Sequence, residues 1–186
     1  MREIFFSSDH HFGHTNIITY CARPFSCTEE MDEVLIDNHN KCVKSGDTVY
    51  LLGDISFNIK RIKEILRALN GTKYFLPGNH DRFKSTDLHI NLLRIIHDAT
   101  IETIPVTLCH YPMLSWNKSF HGAFHLHGHT HGTIPFNPNI RRLDVGVDCH
   151  NYSPVSWEVI KEKLLNVPTP RELRELAQKN DTTNSK

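Results

Sequence analysis

The sequence predicts a layered α/β domain with both parallel and antiparallel strands. Three observations lead there. Short apolar or β-prone runs recur, and each stops at a turn residue. Helical periodicity lies between the early runs and again near the end. The runs are continuously apolar rather than alternating, which suits strands buried on both faces.

The strands are expected at Ile4–Phe6, before Ser8-Asp9; Thr48–Leu52, before Gly53-Asp54; and Lys73–Leu76, before Pro77-Gly78-Asn79. Val106–Cys109 runs into His110, and Phe124–His127 into Gly128-His129. Thr28 is the expected cap of a first helix, with Glu29 and Glu30 at the positive end of its dipole. Met31, Val34, Leu35, Asn38 and Cys42 then share one face. Ile59, Ile62, Ile65, Leu66 and Leu69 mark a second helix, stopped by Asn70-Gly71. Ser156 can cap a third, which buries Trp157, Ile160 and Leu164. Thr169-Pro170-Arg171-Glu172 is a capping box with proline at the first helical position, opening a last helix of thin apolar face.

Length and composition set the limits. The 186 residues correspond to one domain, taken as 1–180, with 181–186 a polar, frayed tail. Hydrophobic residues at 39% and charged residues at 23% exclude a disordered chain. Lys+Arg and Asp+Glu both total 21, so no global basic field steers the chain to long nucleic acid or to acidic membranes. No apolar run approaches the roughly 18–20 residues of a membrane span. The five cysteines are odd in number and form no CxxC pair, and the N-terminus is too short in apolar residues for a secretory segment. Both point to a cytoplasmic protein. Histidine is the unusual component, at 14 residues, and it is the commonest metal ligand.

Polar metal-ligand types follow the strands in order: Asp9 and His11, then Asp54, then Asn79, His80 and Asp81, then His110, then His129 and His131. In open α/β sheets the ligand crevice lies beyond the carboxyl ends of the strands, so five segments can converge there. Glycines 53, 78, 128 and 132 flank them and permit tight turns. A single Asp or His after a strand is ordinarily a turn or capping residue. Five such groups in order are not. Seven oxygen and nitrogen donors (Asp9, His11, Asp54, Asn79, His110, His129, His131) exceed what one metal uses, whereas two metals sharing a carboxylate would employ them all.

These blocks, Asp9-His10-His11, Gly53-Asp54, Gly78-Asn79-His80-Asp81, His110 and Gly128-His129-Thr130-His131, together resemble the five-block signature of the calcineurin-like metallophosphoesterase superfamily. Arg23-Pro24-Phe25 and Val145-Gly146-Val147-Asp148, followed by Asn151-Tyr152-Ser153-Pro154, resemble its small prokaryotic and phage-type branch. The resemblance implies an α/β/β/α sandwich of two mixed sheets flanked by helices. It implies a first metal on Asp9, His11 and His131, a second on Asn79, His110 and His129, and Asp54 between them. It further implies a hydroxide shared by the metals as nucleophile. His80 would protonate the leaving oxygen or hold the phosphoryl group, with Asp81 orienting it. Manganese is the first choice of divalent ion; iron, zinc and nickel suit the same thiolate-free donors.

His14 and Arg23 are the candidate substrate-binding residues, His14 as a phosphate contact or a group behind the ligands, against a surface loop histidine, and Arg23 as a bidentate clamp, against a solvated arginine. His125 and His127 share a strand face with His129 but are expected in core or surface positions. His39, His89 and His97 show no mark of function, and His150 none that can be defended. The expected activity is hydrolysis of phosphomono- or phosphodiesters, on a small phosphoester such as a nucleotide. The alternative is a non-catalytic metal-binding scaffold of the same fold, against which the intact ligand set and His80 argue. A metallo-β-lactamase-type hydrolase would need an HxHxDH run, which is missing. No feature sets an oligomeric state.

Overall fold

The computed structural model describes residues 2–81 and 91–183; His89 lies outside the described residues. Two mixed sheets stack face to face. The first has the order β4-β3-β2-β1-β9, from β1 (Ile4–Ser7), β2 (Thr48–Leu51), β3 (Thr72–Phe75), β4 (Asn91–Leu92) and β9 (Val155–Ser156). Strands β1 to β4 are parallel, and β9 runs antiparallel to β1. The second sheet, β5-β6-β7-β8, comprises β5 (Ile96–Ile101), β6 (Ile104–Cys109), β7 (Phe124–His127) and β8 (Arg142–Asp144). There β6, β7 and β8 are parallel and β5 is antiparallel to β6. A bridge between Ser8 and Gly146 ties the end of β1 to the segment after β8.

Alternation along each strand builds two cores. Phe5, Val49, Leu51 and Phe75 face the helices α1 (Thr15–Tyr20), α2 (Thr28–Cys42) and α3 (Ile59–Ala68), packing on Ile17, Met31, Leu35, Ile62 and Ile65. The neighbouring Phe6, Leu52 and Leu76 turn the other way. They meet Val106, Leu108, Phe124, Leu126 and Leu143 of the second sheet, together with Trp157, Ile160 and Leu164 of α4 (Trp157–Leu165). The last helix, α5, is Pro170–Thr183. Since side chains alternate, the positions beside Phe124, Leu126 and Leu143, namely His125, His127, Arg142 and Asp144, lie on the outer face of the second sheet.

Two caps match their sequence signals. The Thr169 amide donates to Glu172 Oε2 at 2.6 Å while the Glu172 amide donates to Thr169 Oγ1 at 3.3 Å, the reciprocal capping box. Ser156 Oγ accepts from the Val159 amide at 3.4 Å. The expected Thr28 cap is corrected: Cys27 holds that position, and the Thr28 hydroxyl pairs with that of Thr15. Glu30 instead reaches back to the amide and hydroxyl of Ser26. Helix α1 and strands β4, β5, β8 and β9 are additions to the sequence reading.

Candidate metal centre

Every parallel strand named in the sequence reading delivers its polar residues at its carboxyl end, and these ends adjoin. The turns are laced to one another by backbone. The Asp9 amide donates to Gly53 O at 3.1 Å and the His11 amide to Asp54 O at 3.0 Å. The His129 amide reaches both Asp9 carboxylate oxygens, at 3.0 and 2.9 Å, and the His80 amide reaches Asp54 Oδ1 at 3.0 Å. Two glycines make this approach possible. A Cβ at Gly128 would overlap the Ser8 hydroxyl and the Asp9 carboxylate, and one at Gly78 would overlap the Asp54 carboxylate.

The strained conformation, however, sits largely on the polar residues. Asp9, His11, Asp54, His129 and His131 all have positive φ, between 46° and 71°. Asp and His enter this region more easily than bulky residues do, but at a cost of about 1 kcal/mol or more each. Backbone strain of this kind clusters where side-chain direction matters more than stability.

Two donor groups result. Asp9, His11 and His131 form one; Asp54, His110 and His129 form the other; within each, the ligand atoms lie within 4.8 Å of one another. Asp54 reaches toward both, its Oδ2 lying 3.7 Å from His11 Nε2 and 3.4 Å from His110 Nε2. Asn79 Oδ1 is 3.1 Å from His110 Nε2.

The donor chemistry fits divalent cations. His110 Nδ1 donates to Leu52 O at 2.8 Å, so in the neutral ring Nε2 holds a lone pair facing the oxygens of Asn79 and Asp54. His131 Nδ1 is similarly committed to Asp148 Oδ2 at 2.7 Å, which leaves its Nε2 as donor 3.9 Å from Asp9 Oδ1. Buried His11 Nε2 has no hydrogen-bond partner. Lone pairs aimed at one another in a buried site repel unless a proton or a cation lies between them.

Electrostatics follow the burial. Burial pushes the Asp9 carboxyl up to about 6, against the opposing pull of His110 and His131. Burial also pushes the His11 imidazole down to about 3, so it is neutral, the form that ligates metal. At Asp54, burial pushes the carboxyl up, but the charged form of His110, the His80 amide and His11 together hold it below its ordinary range.

His80 is the most open member, with a side chain 40% exposed and Nε2 at 3.8 Å from Asp54 Oδ2. His14 stands beside it, its ring centroid 5.6 Å from that of His11 and 4.7 Å from that of Phe57.

Two expectations are corrected. Arg23 is neither a phosphate clamp nor solvated; its side chain is wholly buried. It donates to both oxygens of Asp148 at 2.8 Å, to His10 O at 2.8 Å and to Asp9 O at 2.7 Å, so its donors are taken by the protein. Asp81 does not orient His80. Its carboxylate accepts the amides of Asp54, Ile55 and Gly78, fixing the turn that carries Asp54.

Asp148 was missed as a positioning group. It links Arg23 to His131, and its place in Val145-Gly146-Val147-Asp148 after an apolar run was the available signal. Two rim aromatics were missed as well. Phe57 packs on His80 at 4.6 Å and Tyr111 on His129 at 4.7 Å, centroid to centroid. A third group, Cys21 with His131 and Asp148, is close enough for a metal, but burial raises the Cys21 thiol to about 11 and Asp148 is held by Arg23. His125 and His127 are buried on the outer sheet face. His150 Nε2 bonds to Asp144 O at 2.8 Å. Among the described residues, no helix is long and apolar enough to cross a membrane.

No family model matches the chain. An uncharacterized protein of Methanocaldococcus jannaschii, MJ1445, is 40% identical over 168 residues, covering 86% of this chain and 90% of that protein. The Gene 66 protein of Mycobacterium phage D29 is 28% identical, covering 83% and 93%. Among solved structures, a protein of unknown function from Aquifex aeolicus, AQ665, matches at TM-score 0.69 and 23% identity, over 87% of this chain and 99% of that one. Weaker likenesses are to zinc-complexed Vps29 from Entamoeba histolytica (TM-score 0.46, 16% identity, 77% and 73% covered) and to the E. coli phosphoesterase YfcE (TM-score 0.40, 15% identity, 77% and 78% covered).

Two stacked mixed sheets, with Asp, Asn and His donors gathered at the strand ends, define a layered α/β domain with a candidate metal centre. The chain belongs to the family of the M. jannaschii protein MJ1445.

Proposed function

We propose that the chain is a dinuclear metal-dependent phosphoesterase acting on small phosphoesters. The observation that carries this reading is Asp54, whose Oδ2 lies within 3.7 Å of a ring nitrogen from each donor group. Asp9, His11 and His131 would hold one divalent cation, and Asn79, His110 and His129 the other, with Asp54 shared. Divalent cations so held supply an acidified water and charge neutralisation at a phosphoryl group.

The protein's own groups do the rest. Asp148 fixes the His131 tautomer and Leu52 O that of His110, so each ring presents Nε2. Asp81 holds the Asp54 turn. His80, open to solvent and beside the cluster, gives a proton to the leaving oxygen or hydrogen-bonds the phosphoryl group. His14 and Phe57 line the same rim. The shallow, exposed position of His80 and His129 supports a small or flexible substrate, with nucleotides a natural first class.

The test is hydrolysis of paired aryl phosphomonoesters and phosphodiesters by purified protein loaded with Mn²⁺, Fe²⁺, Zn²⁺ or Ni²⁺, beside a direct metal count. Turnover that disappears with chelator, and Asp54→Ala protein that loses at least one metal, are the expected results. Metal-loaded protein inert toward both ester classes would leave a metal-binding module and end the catalytic reading.

A further inference from the structure

The outer face of the second sheet carries a pocket whose lining includes none of the candidate metal donors. It encloses about 150 Å³, the scale of a single aromatic ring. Its wall includes His127, Arg142 and Asp144 from β7 and β8, Lys163 from α4, and Ile134 and Phe136 from the loop after Gly132. Ile134 and Phe136 are 39% and 40% exposed, an apolar lip at the mouth.

Charge and hydrogen bonding define what fits. Asp144, the acid in the wall, is internally satisfied. Thr130 Oγ1 donates to its Oδ2, and the Gly146 amide donates to its Oδ1 at 2.7 Å. The two cations are less committed. Arg142 gives one nitrogen to Met113 O at 3.0 Å, and Lys163 Nζ stands 4.5 Å from the Phe136 ring centroid. His127 is buried, with only 2% of its surface exposed. Its Nδ1 donates to Gly128 O at 2.9 Å, and among the described residues its Nε2 has no protein partner. Nε2 therefore presents a lone pair that asks for a donor.

We propose that this pocket binds a small organic anion: a carboxylate or phosphoryl group for Arg142 and Lys163, a single-ring or similarly compact apolar body against Phe136, and a hydroxyl or N–H for His127 Nε2. Arginine and lysine recognise such anions by charge-assisted bonds, and an apolar wall with a few convergent polar groups is the usual construction of a small-molecule site.

The probe is 4-hydroxybenzoate, titrated into metal-loaded protein and followed by ligand-observed NMR, with 4-hydroxybenzyl alcohol as the uncharged comparison. Saturable binding of the acid is expected, with the alcohol roughly tenfold weaker or more. Lys163→Met and Phe136→Ala alter exposed side chains, so the fold should persist, and each should weaken the acid roughly tenfold. No saturation up to about 10 mM overturns the proposal. So does equal affinity for acid and alcohol, or affinity unchanged by both substitutions, the last marking a carboxylate held at the metal cluster instead.

Discussion

His131 and Asp148 are joined at 2.7 Å, Nδ1 to Oδ2, and Arg23 grips the same carboxylate from the other side. The pair sets which nitrogen of His131 faces the cluster. Asp148→Asn keeps the shape but removes the charge that makes the imidazole a better donor. Divalent-metal affinity should fall ~10–100-fold, read by metal titration well below the melting temperature. Unchanged affinity would detach Asp148 from the site.

Arg23 offers a contrast. As a buried structural cation, it bridges Asp148 to the carbonyls of Asp9 and His10. Removing it leaves Asp148 buried and uncompensated on that side. Arg23→Ala should lower stability by about 3–5 kcal/mol in denaturant unfolding. A substrate clamp would behave oppositely, raising KM while leaving the unfolding midpoint alone.

At His80, activity and metal binding should separate. His80→Ala should lower turnover ~10²–10⁴-fold, the usual weight of general acid–base assistance, with metal content nearly unchanged. Metal lost on this substitution would make His80 a ligand.

Glycine positions give a stability test with an internal control. Gly128→Ala forces a Cβ onto the Ser8 hydroxyl and the Asp9 carboxylate, whereas Gly46 has nothing within 4 Å of an added Cβ. Thermal unfolding should show a large loss for the first, and for Gly46→Ala a change within about 0.5 kcal/mol. Equal effects would mean the turn after β7 has slack.

The outer sheet face sets an acid limit. His125 donates Nδ1–H to Thr107 O at 3.0 Å and accepts the Met113 amide at Nε2, also at 3.0 Å. Burial pushes its pKa down to about 4, below the 6.5 of an unfolded histidine. Since the unfolded chain binds the proton more readily, this contribution is complete above pH 6.5 and is lost as pH falls toward 4, at about 1.4 kcal/mol per pH unit. His125→Gln can keep both bonds without titrating. Urea midpoints at pH 7, 5.5 and 4.5 should fall less steeply for that variant; parallel slopes would refute the assignment.

Much of the fold could be read from local pattern. Ile4–Phe6, Thr48–Leu52 and Val106–Cys109 are mostly apolar runs, as suits strands packed on both sides, whereas Phe124–His127 alternates and turns its two histidines to the outer face. The strands that escaped notice are short or edge elements. Asn91–Leu92 and Val155–Ser156 are two residues each, and β5 borders solvent with Asp98 in its middle. Such stretches are held by their neighbours, not by their own propensity. At the site, Asp9, His11, Asp54, Asn79, His110, His129 and His131 were legible because strand ends announce them. Arg23 misled because sequence shows a charge but not its burial. Asp81 misled because adjacency to His80 says nothing of side-chain direction: its carboxylate turns to three amides of the Gly53 and Gly78 turns. Asp148 lies far from the five blocks, and only tertiary packing brings it to His131.

The left-handed backbone at Asp9, His11, Asp54, His129 and His131 makes these positions hazardous for directed evolution. Glycine at exposed His129 would relax the backbone by up to about 1 kcal/mol while deleting a candidate donor, whereas at Asp9, Asp54 and His131 it would also strip a hydrogen bond and at His11 it would leave a void. Selection for heat resistance alone therefore favours the loss of His129 first, and a library sorted that way would drift toward robust proteins with a depleted donor set.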